Sequence, residues 1–189
     1  VFVPFSLPGE RVRARIYRNH QSYSEADLIA VLTPSRDRVT PPCPQFGSCG
    51  GCQYQHLSYP EQLAWKRDQV ADLLHRTAQI KDLPVEPPIP SPLEFGYRSK
   101  ITPHYQKPNK EGIRNIGFLA TASRSRIVDI PSCPIASAAI NASLPRVRDA
   151  ARAQAGKRKK GATLLLRDSQ GTILTSSQAV AEEQVGNLH

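Results

Sequence analysis

The chain has 189 residues, 39% of them hydrophobic, and a formal net charge of +9 from 25 Lys and Arg against 16 Asp and Glu. That length suits one ordinary domain or two small ones, and the basic balance points to a polyanionic partner, nucleic acid first. No apolar run is long enough to cross a membrane and no signal-peptide pattern is present, so no membrane partner is expected and an intracellular, first of all cytoplasmic, protein is. The chain contains no Met and opens on Val1-Phe2-Val3-Pro4, which reads as the inside of a strand. Its last residues, 184–189, break off without a tail, and an internal portion of a longer protein is expected.

Residues 1–40 read as β-rich. Pro8-Gly9 is a turn signal, and Arg11-Val12-Arg13-Ala14-Arg15-Ile16-Tyr17 alternates basic and apolar residues, the period of a strand with one charged face. Residues 26–32 are a further strand. Short strands with a basic face suit a small barrel of the OB type. A helix is predicted from Ser58 to about residue 77. Ser58-Tyr59-Pro60-Glu61 has the form of a capping box with proline in the first turn, and Leu63, Val70 and Leu74 mark an expected buried stripe. Five prolines between residues 84 and 92 make an extended connector.

Beyond the connector, residues 97–106 and 113–119 are predicted as paired strands around a Pro108-Asn109-Lys110-Glu111-Gly112 turn. Residues 126–130 are a third strand. Residues 135–155 are helical in composition, with Pro145 expected to open a second segment. Residues 163–167 and 172–176 form an expected hairpin. The positive charge concentrates between residues 95 and 126, where Arg98, Lys100, Lys107, Lys110, Arg114, Arg124 and Arg126 face the single acid Glu111, with aromatic residues interleaved. A second run, Lys157-Arg158-Lys159-Lys160, reads as a solvated loop.

All four cysteines fall into one pattern. Cys43, Cys49 and Cys52 form a C-x5-C-x2-C triad, and the remote Cys133 precedes Pro134. Disulfides, a four-Cys zinc site and an iron–sulfur cluster are the competing readings. The three-plus-one arrangement is unlike the paired C-x2-C units of structural zinc and resembles cluster ligation more closely. Gly47, Gly50 and Gly51 let the backbone curl around such a group, and their amides are placed to offset its charge.

With their neighbours these residues resemble a known family. Cys43-Pro44, Phe46-Gly47, Cys49-Gly50-Gly51-Cys52-Gln53-Tyr54-Gln55-His56-Leu57 and Tyr59 resemble the cluster segment of the RNA 5-methyluridine methyltransferases. Leu7-Pro8-Gly9-Glu10-Arg11-Val12 is similar to the end of their RNA-binding TRAM barrel. Tyr97-Arg98-Ser99-Lys100, Gly117-Phe118, Ile127-Val128-Asp129-Ile130 and Cys133-Pro134-Ile135-Ala136 resemble their central domain.

The resemblance implies an α+β fold: a partial OB-like TRAM barrel over 1–41, a cluster-binding loop and helix over 42–82, and a central α/β RNA-binding domain with antiparallel strands over 83–189. It implies a [4Fe-4S] cluster on Cys43, Cys49, Cys52 and Cys133, with zinc as the alternative. For the parent enzyme it implies S-adenosylmethionine, a Rossmann-like domain absent from this chain, and methylation of RNA at carbon 5 of uridine. No glycine-rich cofactor loop and no fifth cysteine are present, so no catalytic or cofactor-binding residue is expected here and this portion alone is expected to be inactive. The expected RNA contacts are Arg98, Lys100, His104 and Tyr105, with a core position for Tyr105 as the competing reading. Tyr23-Ser24-Glu25-Ala26-Asp27-Leu28 and Gln53-Tyr54-Gln55 favour the fungal tRNA branch, which acts on a T-loop uridine. A ribosomal-RNA enzyme, or a stand-alone RNA-binding or redox module, is the alternative.

Overall fold

The computed structural model describes residues 1–80 and 84–175. They form two compact units of mixed α and β structure with antiparallel sheets. The first contains Val1–Pro42 and Gln53–Pro92, the second Cys43–Cys52 and the chain from Leu93 onward. The segment 42–82 is therefore shared, its cysteine loop in the second unit and its helix in the first.

In the first unit β1 (Arg11–Asn19) and β2 (Ser24–Thr33) form a long antiparallel hairpin, with Arg11 opposite Thr33 and Asn19 opposite Ser24. Three register shifts interrupt the ladder, as bulges do in a strongly twisted ribbon. Phe2 adds a parallel bridge beside Glu25. The apolar face of β1 is less covered than its alternation predicts, with Ile16 52% exposed. A two-stranded ribbon cannot bury its own face.

The turn preceding β1 is held by a carboxylate. The Glu10 side chain is fully buried and accepts hydrogen bonds from the Leu7 and Ser35 amides and from the Arg38 guanidinium, which also donates to the Phe5 carbonyl. The Arg38 hydrogen bonds hold the Glu10 carboxyl at a pKa of about 2, against the opposing effect of burial. Close by, burial and the Arg38 charge push the His56 imidazole below its ordinary range.

Helix α1 (Tyr59–Ala78) starts at Ser58, with Pro60 in its first turn, but the Ser58 hydroxyl caps no amide. The capping box is not formed. Instead the Gln62 side chain donates back to the Tyr54 and Leu57 carbonyls. The expected buried stripe is also absent, because no residue of α1 is buried and Val70 is 47% exposed. The helix is also tied to the proline-rich connector. Ser91 donates to the Tyr59 hydroxyl, and Arg67 to the Val85 carbonyl.

The second unit carries the core. β3 (Lys100–Ile101), β8 (Leu166–Ser169) and β9 (Thr172–Thr175) make one sheet in the order β3-β8-β9. β4 (His104–Tyr105), β5 (Gly117–Leu119), β6 (Ile127–Asp129) and β7 (Ala162–Thr163) make another in the order β6-β5-β4-β7. The expected single strand over 97–106 is thus two strands in two sheets. The break falls at Pro103, which is fully buried and has no N–H for a ladder, while its carbonyl accepts from the Leu164 amide. The expected hairpin with 113–119 shrinks to the single pair His104–Gly117. A hairpin forms with 172–175 as its second strand, but its first strand is Leu166–Ser169 and not 163–167, because Thr163 belongs to β7 in the other sheet; residue 176 lies outside the described residues, as do 184–189.

Helix α2 (Ala138–Ala153) buries Ile140, Leu144, Val147 and Ala151, an apolar stripe at helical spacing, against Ile101, Tyr105, Ile116, Leu164 and Leu166. Pro145 lies inside this continuous helix and does not open a new one. Arg148 is also buried. Its guanidinium donates to the Ile116 and Ile130 carbonyls at 2.6 and 2.7 Å and to both Asp129 oxygens at 2.9 and 2.7 Å.

Glu10 and His56 shape the acid response of the first unit. A histidine with a lowered folded pKa costs stability as pH falls below the ordinary 6.5. A carboxyl held at about 2 contributes stability above the ordinary 4.5 that is lost between 4.5 and 2. Urea melts of the full chain should therefore show the first unit weakening in two steps. Glu10→Gln should remove the lower step and cost about 3 kcal/mol at neutral pH by stranding Arg38.

Candidate thiol cradle and nucleic-acid interface

All four cysteines belong to the second unit and are half-buried. The triad loop folds on itself through Phe46 and Cys49 amides donating to Cys43 and Gln45 carbonyls, with Gly47 at φ +82°. It then docks on β5. The Gly50 amide donates to the Leu119 carbonyl and the Thr121 amide to the Ser48 carbonyl, each at 2.9 Å. Gly50 suits this close approach, since a Cβ there would lie a tight 3.1 Å from the Leu119 oxygen.

Cys133 sits on the turn between β6 and α2, and Asn141 holds that turn. The Asn141 carbonyl oxygen accepts from the Cys133 amide at 2.8 Å. Its amide nitrogen donates to the carbonyls of Cys133 at 2.9 Å, Ala136 at 3.1 Å and Ser137 at 3.3 Å. Nothing in the sequence marked Asn141, because a polar residue in a helix has no local signature of the turn it reaches.

The thiols sense one another. Burial raises the Cys133 pKa, the Ile135 and Ala136 amides lower it, and Cys52 and Cys43 raise it further. Burial likewise raises Cys49, the Gly51 amide opposes, and Cys52 and Cys43 add to the rise. The fold therefore brings the remote cysteine into the electrostatic neighbourhood of the triad. Among the described residues no group of three or more His, Cys, Asp or Glu side chains is gathered closely enough to hold a single metal ion. The Ile135 and Ala136 amides at Cys133 and the Gly51 amide at Cys49 are donors that a negatively charged group held by these thiols would use.

The same turn positions the basic strand. The Gly96 and Arg98 amides donate to the Pro134 and Ile135 carbonyls, and the Ser137 amide to the Arg98 carbonyl. Arg98 and Lys100 line a cleft of about 500 Å³ with Tyr97, which is 55% exposed, and Phe118. His104 is half-buried, one strand away, and does not line this cleft. Tyr105 is 3% exposed and belongs to the core, so its ring cannot stack on a base. Tyr97, beside Arg98 in the sequence, is the more exposed of the two aromatic rings that line this cleft, Phe118 being half-buried.

The Asn141 bonds carry a direct test. In the full chain kept reduced and metal-free, Asn141→Ala should speed alkylation of Cys133 by about tenfold, read by mass spectrometry. Cys43 should react as in the parent protein. Asn141→Asp, which retains the acceptor for the Cys133 amide, should fall between the two.

No family model matches the chain. It is 38% identical over 200 residues to the tRNA (uracil(54)-C(5))-methyltransferase of Schizosaccharomyces pombe, an alignment that takes in the whole of this chain and 38% of the relative. It is 44% identical over 133 residues to the 23S rRNA (uracil(1939)-C(5))-methyltransferase RlmD of Acidithiobacillus ferrooxidans, covering 70% of this chain and 30% of that one. The structure of the Pyrococcus abyssi tRNA (uracil-54, C5)-methyltransferase in complex with S-adenosyl-L-homocysteine aligns with 92% of the chain, at a TM-score of 0.60 and 26% identity, over 40% of its own length. The chain thus spans about two-fifths or less of these relatives. Its homologues are RNA uracil C5-methyltransferases, one of the tRNA type matched over the whole chain and one of the ribosomal-RNA type over 70% of it.

Proposed function

We propose that this chain is the RNA-holding, iron–sulfur-containing portion of an S-adenosylmethionine-dependent RNA uridine C5-methyltransferase whose substrate is the T-loop of tRNA. The observation that carries the reading is the match of the entire chain to a tRNA (uracil(54)-C(5))-methyltransferase. A ribosomal-RNA substrate is the second reading, favoured by the 44% identity to an enzyme of that type.

In this reading Cys43, Cys49, Cys52 and Cys133 hold a [4Fe-4S] cluster. The cluster supplies a rigid bond across about eighty residues of chain, and its binding energy becomes folding energy for the second unit. The thiols are then occupied, and none is left as a nucleophile. Methyl transfer belongs to another part of the protein, which binds the S-adenosylmethionine. The task of this chain is to hold RNA while a uridine is turned out of its loop. Arg98 and Lys100 serve as phosphate ligands, and Tyr97 offers a ring for stacking. Because Arg98 is bonded through its backbone to the Cys133 turn, order at the thiols is passed to the cleft.

Anaerobic purification of the chain tests the cluster. Brown protein with four irons and four sulfides per chain is expected, whereas zinc alone would overturn the iron–sulfur assignment. Equilibrium binding tests the RNA. A T-arm hairpin should bind more tightly than a ribosomal hairpin, and Arg98→Ala with Lys100→Ala should weaken binding at least about tenfold, or ~1.4 kcal/mol. The reverse order of hairpins supports the ribosomal reading. Unchanged affinity in the double variant removes the two residues from the interface. No methyl incorporation by the chain alone is expected.

A further inference from the structure

A second basic cleft of about 350 Å³ lies in the second unit between the 106–115 segment and residues 126–127. Lys107, Arg114 and Arg126 line it, and all three are exposed. It shares no residue with the Arg98 cleft. Among the described residues Arg15 faces Asp27, Arg38 faces Glu10, Arg76 faces Asp72, and Arg148 and Arg152 face Asp129. Among the described residues none of the three cleft cations joins an ion pair. Three uncompensated charges around one concavity repel one another, and a concave wall concentrates their field outward.

The walls are tied together. The Gln106 side chain donates to the Ser125 carbonyl and the Asn115 side chain to the Ile127 carbonyl at 2.9 Å, so both neighbours of Arg126 are fixed to the opposite wall. The Ser123 hydroxyl accepts from the Arg126 amide, and the Arg126 carbonyl accepts from Ala120. The cations are thus presented on a braced frame. The lining has no aromatic ring, which distinguishes it from the Arg98 cleft. It has the means to hold phosphate and none to stack a base.

We propose that this cleft binds the phosphodiester backbone of the RNA, as a separate anchoring site that fixes the strand without reading its sequence. The inference rests on the RNA reading above. It is tested with the full chain and two labelled RNA hairpins of equal length and different loop sequence, titrated at several salt concentrations. The variant Lys107→Gln, Arg114→Gln, Arg126→Gln should lower the slope of log K against log salt by about 2 to 3, at ~0.7–0.9 per lost phosphate contact. It should weaken both hairpins by the same factor. Arg114→Gln alone, at an exposed position, should lower the slope by about 0.7 to 0.9 and guards against misfolding of the triple variant. A control with Lys157→Gln, Lys159→Gln and Lys160→Gln should leave the slope unchanged. An unaltered slope in the cleft variants overturns the proposal, as does an equal drop in the control or a loss confined to one hairpin. A parent chain that binds neither RNA overturns the RNA reading and this inference together.

Discussion

The second unit depends on one buried guanidinium. Arg148 arrives from α2 and is shared among the Ile116 carbonyl, the Ile130 carbonyl and the Asp129 carboxylate. A buried charge is tolerated only when its donors are satisfied and a counter-charge is present, and here both conditions are met by one sheet edge. Burial alone would raise the Asp129 carboxyl. The Arg148 hydrogen bond, the Ile116 amide and the charges of Arg148 and Arg152 lower it instead. Arg148 thus pins the helix to β6 and to the residue preceding β5, while the apolar stripe of α2 packs on the core that includes Leu166 of β8.

The candidate sites hang from that registration. With α2 fixed, Asn141 lies two turns before Arg148 and meets the Cys133 turn. With β5 fixed, Leu119 and Thr121 receive the triad loop. The thiols come together because two separate contacts, one through α2 and one through β5, converge on the same sheet. The Arg98 strand is bonded to the Cys133 turn, so the basic cleft and the thiols share a support. Gly117 shows how tight the sheet is, because a Cβ there would lie 2.0 Å from the Val128 carbonyl.

The first unit follows a different logic. Its helix buries no residue, and its hairpin leaves Ile16 and Tyr17 more than half exposed. The strongest local constraint is the Glu10 knot, which gathers Phe5, Leu7, Ser35 and Arg38 around one carboxylate. Polar closure of a turn holds backbone well without a large core. The spacing of the apolar residues of α1 predicts a buried stripe. Spacing states which residues share a face, and what covers that face is set by the rest of the fold.

The cysteine pattern, the basic stretch between 95 and 126, both helices and the β1–β2 hairpin were legible in the chain itself, because ligand spacing, charge and periodicity are local properties. The turn about residues 108–112 was equally plain, and in the structure Gly112 adopts φ +99° and the Asn109 side-chain oxygen accepts from the Glu111 amide. Other features needed the folded molecule. Pro103 was visible, but its transfer of one run of sequence from one sheet to another depends on β8, β7 and β5 being there to receive it. Tyr105 has the composition of an RNA contact and the environment of a core residue. Asn141 and the tied walls of the second cleft carry no signal at all along the chain. Their roles arise from hydrogen bonds between residues 8 to 19 positions apart, whose geometry exists only once α2 and the sheet have packed.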